Sequence, residues 1–194
     1  TLITASADEL LERFAALDAA VAGSRLGPLM VPGYHLEGPF LNPAPGFCGC
    51  HPAAKMCAPD IGLVDRLQAS IRKPILLVTI APELVGAAAF IQAARARGVV
   101  VAMGHSDARF DTVTDAAAAG VTLATHLGNG VAPAQHKFDN PIMAQLAEDR
   151  LAACFIADGI HVAPYALGVM LRAKGIARSI LVTDAVTGSA APAG

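Results

Sequence analysis

Apolar positions recur along this chain in two alternating modes. Short runs at 75–80, 99–103, 121–125, 151–157 and 180–183 are apolar almost throughout, while the stretches between them space apolar residues three or four apart. The first mode predicts strands buried on both faces, and the second predicts amphipathic helices over 82–97, 108–119, 142–148 and 164–174. Strands separated by helices form right-handed βαβ units, so the pattern predicts a parallel sheet and an α/β fold. Nearer the N-terminus, Ser6 and Glu9 make a capping box ahead of Leu10, Leu11, Phe14, Leu17 and Val21, which predicts a helix after the short stretch 1–4. A further strand is expected over 29–36, weakened by Pro28 and Pro32, which cannot donate to a ladder. Gly98, Gly120 and Gly175 stand where a left-handed residue would end a helix and turn the chain into the next strand. The joins leaving the strands are longer and carry nearly all the reactive side chains. In parallel β/α folds those carboxyl-end loops build the site.

With 194 residues the chain suits a single domain, 1–194, able to bury a sizeable core. A complete (β/α)8 barrel takes about 250 residues, so a barrel reading must explain a shortfall: either the fold is smaller or the chain is partial. Hydrophobic residues at 54% and charged ones at 15% fit buried strands covered by helices and exclude a disordered chain. A formal charge of −2 with no basic cluster removes the electrostatic case for binding nucleic acid or an anionic membrane. A small metabolite fits better. No apolar run reaches the ~18 residues of a membrane span, and the first residues lack a signal-peptide pattern, so a cytoplasmic location is expected. Cys48, Cys50, Cys57 and Cys154 are read as reduced thiols, since three of them crowd one loop and make a poor framework for stapling a domain.

Reactive side chains stand where the apolar runs stop: His35 and Glu37, then His105, His126, His161 and Asp184. Any one histidine beside Gly or Thr has an ordinary reading as a hydrogen-bonded turn residue. Jointly they point elsewhere, because His105 and His126 are separated by one helix plus one strand of the β/α repeat and should face one centre from adjacent strand ends. Two neutral imidazoles and a carboxylate leave one tetrahedral position open, the pattern of a catalytic zinc site. Glu37 is the best third ligand; Glu83 competes, but Pro82-Glu83 reads more simply as the acidic first turn of a helix. Asp184 can take a proton from water and pass one to a leaving group, with an N-cap as its alternative role. His161 is placed to donate to a substrate carbonyl or to bond backbone, and Asp158 reads as a turn residue. A zinc knuckle built on Cys48, Cys50, His51 and Cys57 lacks the usual spacing and a second cysteine pair. No Gly-x-Ser-x-Gly elbow, Walker loop or Gly-x-Gly-x-x-Gly helix start occurs, which argues against serine hydrolases, P-loop enzymes and dinucleotide enzymes.

The segments His35-Leu36-Glu37-Gly38-Pro39-Phe40-Leu41-Asn42-Pro43, Gly104-His105-Ser106-Asp107-Ala108, Thr125-His126-Leu127 with Asn129-Gly130, Asp158-Gly159-Ile160-His161 and Leu181-Val182-Thr183-Asp184-Ala185 closely resemble, in order, those of the N-acetylglucosamine-6-phosphate deacetylase family of the amidohydrolase superfamily. The resemblance runs through essentially the whole chain. It implies an incomplete TIM-type (β/α)8 barrel, running from the end of the second barrel strand to just past the eighth, without the first strand and the β-sandwich domain. It implies one divalent ion, most commonly Zn2+, on Glu37, His105 and His126. Asp184 would activate water for attack on the acetamide carbon and His161 would steady the carbonyl oxygen, giving acetate and the amino sugar phosphate. For substrate contacts, the resemblance points to Cys50, His51, Asn129, Gly130 and His161. Lys137 stands by count where the family carries a phosphate-binding arginine; lysine keeps the charge and loses the bidentate fork. Gly128 replaces the usual aromatic and widens the pocket. A homodimer is implied for the full-length protein. Two alternatives remain open: an amidohydrolase for an unphosphorylated N-acyl compound, and a non-catalytic barrel fragment that binds sugar or protein.

Overall fold

Among the described residues, seven strands lie side by side in sequence order, each parallel to the next: β1 Leu2–Ile3, β2 Tyr34–Glu37, β3 Ile75–Ile80, β4 Val100–Met103, β5 Leu123–Ala124, β6 Ala152–Ile156 and β7 Ser179–Val182. The structure is a computed structural model and describes residues 1–186 and 189. Helices α1 Ala7–Gly23, α2 Gly27–Met30, α3 Ile61–Ala69, α4 Ala87–Ala96, α5 Phe110–Ala119, α6 Pro141–Ala147 and α7 Pro164–Lys174 connect the strands. The sheet curls into part of a barrel, as the family resemblance implies.

Register decides which side chains meet. Leu36 pairs with Val78 and Val78 with Val101; these residues face the helices and are fully or almost fully buried. They form one core with Leu10, Phe14, Leu67, Phe90 and Ile91 from α1, α3 and α4. Each such side chain contributes roughly 1.5–3 kcal/mol on burial. The alternate positions, Glu37 opposite Thr79 and Thr79 opposite Ala102, share the other, inward face. A strand that ends on an inward position therefore delivers its last side chain to the barrel mouth.

The predicted strand over 75–80 and helix over 164–174 occur with those bounds. Elsewhere local chemistry moves the limits. The strand expected over 29–36 starts at Tyr34, because Pro28 opens the short helix α2 and Pro32 has no N–H to pair; Tyr34 N donates to Pro74 O instead. The helix expected over 82–97 starts at Ala87, after a turn that ends at left-handed Gly86. Glu83 thus lies in a turn, not in a helix. At 121–125 only Leu123 and Ala124 are ladder residues, since Val121 N closes the end of α5 on Ala116 O. Helix α3 was not anticipated, although Asp60 caps it through Gly62 N and Leu63, Val64 and Leu67 make its buried face.

Candidate metal centre

Glu37, His105 and His126 are brought together at the carboxyl ends of β2, β4 and β5 and are all buried. His126 Nε2 lies 3.0 Å from Glu37 Oε1, His105 Nε2 lies 3.3 Å from the same oxygen, and the two Nε2 atoms are 3.1 Å apart. Ligand bonds of about 2.0–2.1 Å to a tetrahedral ion place the ligand atoms roughly 3.3 Å from each other, so the triangle has the right edge. Its chemistry fits too. His105 Nδ1 donates to Phe47 O at 2.7 Å, which leaves the Nε2 lone pair facing the centre. One proton cannot bridge all three pairs of acceptors, whereas one cation can. His126 Nδ1 is buried with no partner among the described residues. The donor set fits a divalent metal ion.

Backbone geometry aims these side chains. His105, His126 and Asp184 have φ of 51°, 30° and 50°, in the left-handed region that non-glycine residues seldom occupy. Each such residue costs on the order of 1–3 kcal/mol, and such strain gathers at functional sites. Gly130, with φ of 62°, passes so close that an added Cβ would lie 2.7 Å from His105 Nδ1. Asn129 Nδ2 donates to His126 O at 3.2 Å.

Electrostatics follow from burial and proximity. At Glu37, burial resists ionisation, and the His105 and His126 imidazoles outweigh it and hold the carboxyl well below its usual range. His126 is pulled down by burial and raised more strongly by Glu37, with Asp184 adding to the rise. His51 is buried beside the centre, its Nε2 3.9 Å from Glu37 Oε1 and its Nδ1 2.8 Å from Thr4 Oγ1. Burial, reinforced by His105, lowers His51 to about 4 and keeps it neutral.

The remaining predicted residues lie on the loops that follow β2, β5, β6 and β7. Asp184 follows β7 and is exposed; its charge reaches His126. His161 is exposed on the loop after β6, where Asp158 holds its Nδ1 at 2.6 Å and also accepts from the backbone N–H of Ile160 and His161. Asp158 is therefore a turn residue that also orients a histidine, a role its Asp-Gly-x-His spacing could have suggested. A cleft of about 340 Å3 lies at the ends of β6 and β7, lined by Ile156, Ala157, Asp158, Leu181, Val182 and Thr183. Cys50 and Lys137 are exposed, Lys137 on the loop between β5 and α6. All four cysteines are free thiols. Sequence reasoning missed the role of Phe47 altogether, and it read Glu83 as a competing ligand or a helix first-turn residue. Phe47 supplies the carbonyl that orients His105, which no side-chain pattern could reveal. Glu83 accepts from Asn42 Nδ2, Ser106 Oγ and Asp107 N, clipping the loop after β2 to the loop after β4.

Part of a parallel β/α barrel with two histidines and a carboxylate converging at its strand ends defines the class of β/α-barrel proteins that carry a metal site at the carboxyl face of the sheet. No protein-family model matches the chain. It is 36% identical over 168 residues to N-acetylglucosamine-6-phosphate deacetylase of Bacillus subtilis, covering 87% of this chain and 42% of that one. It is 33% identical over 189 residues to N-acetylgalactosamine-6-phosphate deacetylase of a Shewanella species, covering 96% and 44%. A solved structure is also similar, that of a mutant N-acetyl-D-glucosamine-6-phosphate deacetylase from Mycobacterium smegmatis in complex with N-acetyl-D-glucosamine-6-phosphate. It matches with a TM-score of 0.84 and 35% identity, covering 96% of this chain and 47% of that one. This chain belongs to the N-acetylglucosamine-6-phosphate deacetylase family and spans less than half the length of those relatives. Among the described residues no helix is long and apolar enough to cross a membrane.

Proposed function

We propose that this chain carries the catalytic centre of a metal-dependent deacetylase that hydrolyses the acetamide of N-acetylglucosamine 6-phosphate to glucosamine 6-phosphate and acetate. The observation that carries the reading is the buried Glu37–His105–His126 triangle at the strand ends of a chain similar to deacetylases of that sugar phosphate. Glu37, His105 and His126 would hold one divalent ion, zinc by preference for two imidazoles and a carboxylate. Bound there, the ion would polarise the amide carbonyl and make water a better nucleophile.

The chain's own groups do the rest. Asp184, exposed at the end of β7, takes a proton from the attacking water and returns it to the departing amine. His161, its Nδ1 held by Asp158, presents Nε2 to the carbonyl oxygen as negative charge builds. His51, kept neutral, lines the sugar side with Cys50, Asn129 and Gly130. Lys137 supplies the positive charge for the phosphate as a point charge without arginine's fork. The family relatives act in the full-length protein, and there this reading includes a homodimer in the cytoplasm.

The test uses the full-length gene product. It should bind one equivalent of zinc and turn over N-acetylglucosamine 6-phosphate much faster than plain N-acetylglucosamine; equal rates would show that phosphate is not recognised. The Asp184→Asn variant should lose turnover by about 10²-fold or more, the weight of a general acid–base, while keeping its metal. Preserved turnover would overturn the assignment of Asp184. Because a relative acts on N-acetylgalactosamine 6-phosphate, that epimer belongs in the same assay, and faster turnover of it would reassign the sugar.

A further inference from the structure

Below the three ligands, on the same inward face, three polar side chains join hands across the sheet. His35 Nε2 lies 2.8 Å from Thr79 Oγ1, and Thr79 Oγ1 lies 2.8 Å from Thr125 Oγ1. The chain links β2, β3 and the end of β5, and it passes Gly104, just beyond the end of β4. A Cβ on Gly104 would stand 3.0 Å from Thr125 Cβ and 3.1 Å from Thr79 Cγ2, so a side chain there would crowd both threonines and press them apart by a few tenths of an ångström.

Every member borders a ligand. His35 precedes Glu37 by two residues on β2, Gly104 precedes His105, Thr125 precedes His126, and Thr79 stands opposite Glu37 in register. Neighbouring inward positions are apolar, Leu77, Ala102 and Leu123, so a polar network here is not what the packing demands. Net stabilisation by such bonds is only about 1 kcal/mol each, and well-packed apolar residues would serve stability as well. Hydrogen bonds differ from apolar contacts in being directional and of set length. A ligand triangle needs that, since its atoms must be held to within about 0.5 Å.

We infer that the His35–Thr79–Thr125 chain is the positioning layer of the metal centre: it sets the spacing of the β2 and β5 ends and thereby the separation of Glu37 from His126. The inference rests on the metal-centre reading above. The Thr79 hydroxyl bonds to His35 and Thr125 and to none of the three ligand side chains, so it can be changed without altering the donor set. Replacing it with valine removes the hydroxyl that both bonds share at nearly constant volume.

The experiment is a cobalt(II) titration of the full-length protein, read by the visible d–d bands, for the unmodified form, Thr79→Val and Thr79→Ser. Loss of outer-sphere support typically weakens metal binding 10–100-fold. Thr79→Val should show a loss in that range with shifted bands, while the unfolding midpoint of the metal-free protein falls by only several degrees, the weight of two lost hydrogen bonds. Thr79→Ser, which keeps the hydroxyl, should restore both affinity and bands. Wild-type affinity and spectrum in Thr79→Val overturn the inference, as does a loss that serine fails to restore. If Thr79→Val does not fold, Thr125→Val carries the same expectations and the same refutation. Absence of any cobalt uptake by the unmodified protein overturns the metal-centre reading itself, and is distinct from uptake that these substitutions leave untouched.

Discussion

Left-handed backbone at His105, His126 and Asp184 is a local cost that no neighbouring sequence relieves, and it falls on two of the ligands and on the proposed proton carrier. Glycine would adopt those angles freely but would contribute no imidazole or carboxylate. The same crowding makes Gly130 indispensable. Its φ of 62° and the 2.7 Å separation between a would-be Cβ and His105 Nδ1 leave no room for alanine. Gly130→Ala should push His105 off the Phe47 carbonyl and weaken zinc affinity about 10-fold or more, measured by competition with a chromophoric chelator. Unchanged affinity would show that the loop gives way without moving the ring.

Elements dock through a few contacts each, and α1 shows how. Phe14 meets the ring of Tyr34 edge-on at 5.8 Å, and the Tyr34 hydroxyl donates to Asp18 Oδ1 at 2.9 Å. Asp18 also accepts from Arg72 N and Nε and from Lys73 N, so one carboxylate ties α1 to β2 and to the segment entering β3. Burial resists its charge, and the hydrogen bonds from Tyr34, Arg72 and Lys73 outweigh that and hold it at about 2 against an ordinary 3.8. A carboxyl depressed in the folded state binds fewer protons there than in the unfolded chain. Its contribution is therefore full above about pH 4 and fades as pH falls toward 2. Asp18→Asn should lower the Tm by several degrees at pH 7 and flatten the fall in Tm between pH 4 and 2. An equally steep acid limb in the variant would place that sensitivity elsewhere.

At the scale of the molecule, the centre joins parts of the chain far apart in sequence: Glu37 and His126 are 89 residues apart and His105 and His126 are 21. An ion bound there cross-links β2, β4 and β5, and it favours only the folded form. At a hundredfold excess over its Kd it stabilises by about 2.7 kcal/mol. For a domain of this size each kcal/mol shifts the Tm by roughly 2–4 °C, so stripping the metal with a chelator should lower the Tm by about 5–10 °C, reversed by added zinc. A scan that chelator leaves unmoved would argue that nothing binds in the described triangle.

Periodicity is a local property, and it carried the element order: the strand at 75–80 and the helix at 164–174 are written in apolar spacing alone. It also placed Glu37, His105 and His126 at strand ends, because a strand stops where its apolar run stops. Where a bound depended on a distant partner, as at β2 with Pro74, local pattern misjudged it. So too for the site. Sequence determined which side chains stand at the carboxyl ends of parallel strands, and only the tertiary structure decided that three of them converge within a few ångströms. That convergence depends on sheet register, on left-handed turns, on a backbone carbonyl at Phe47 and on a glycine that leaves two threonines uncrowded, none of which is encoded within a short window of the chain.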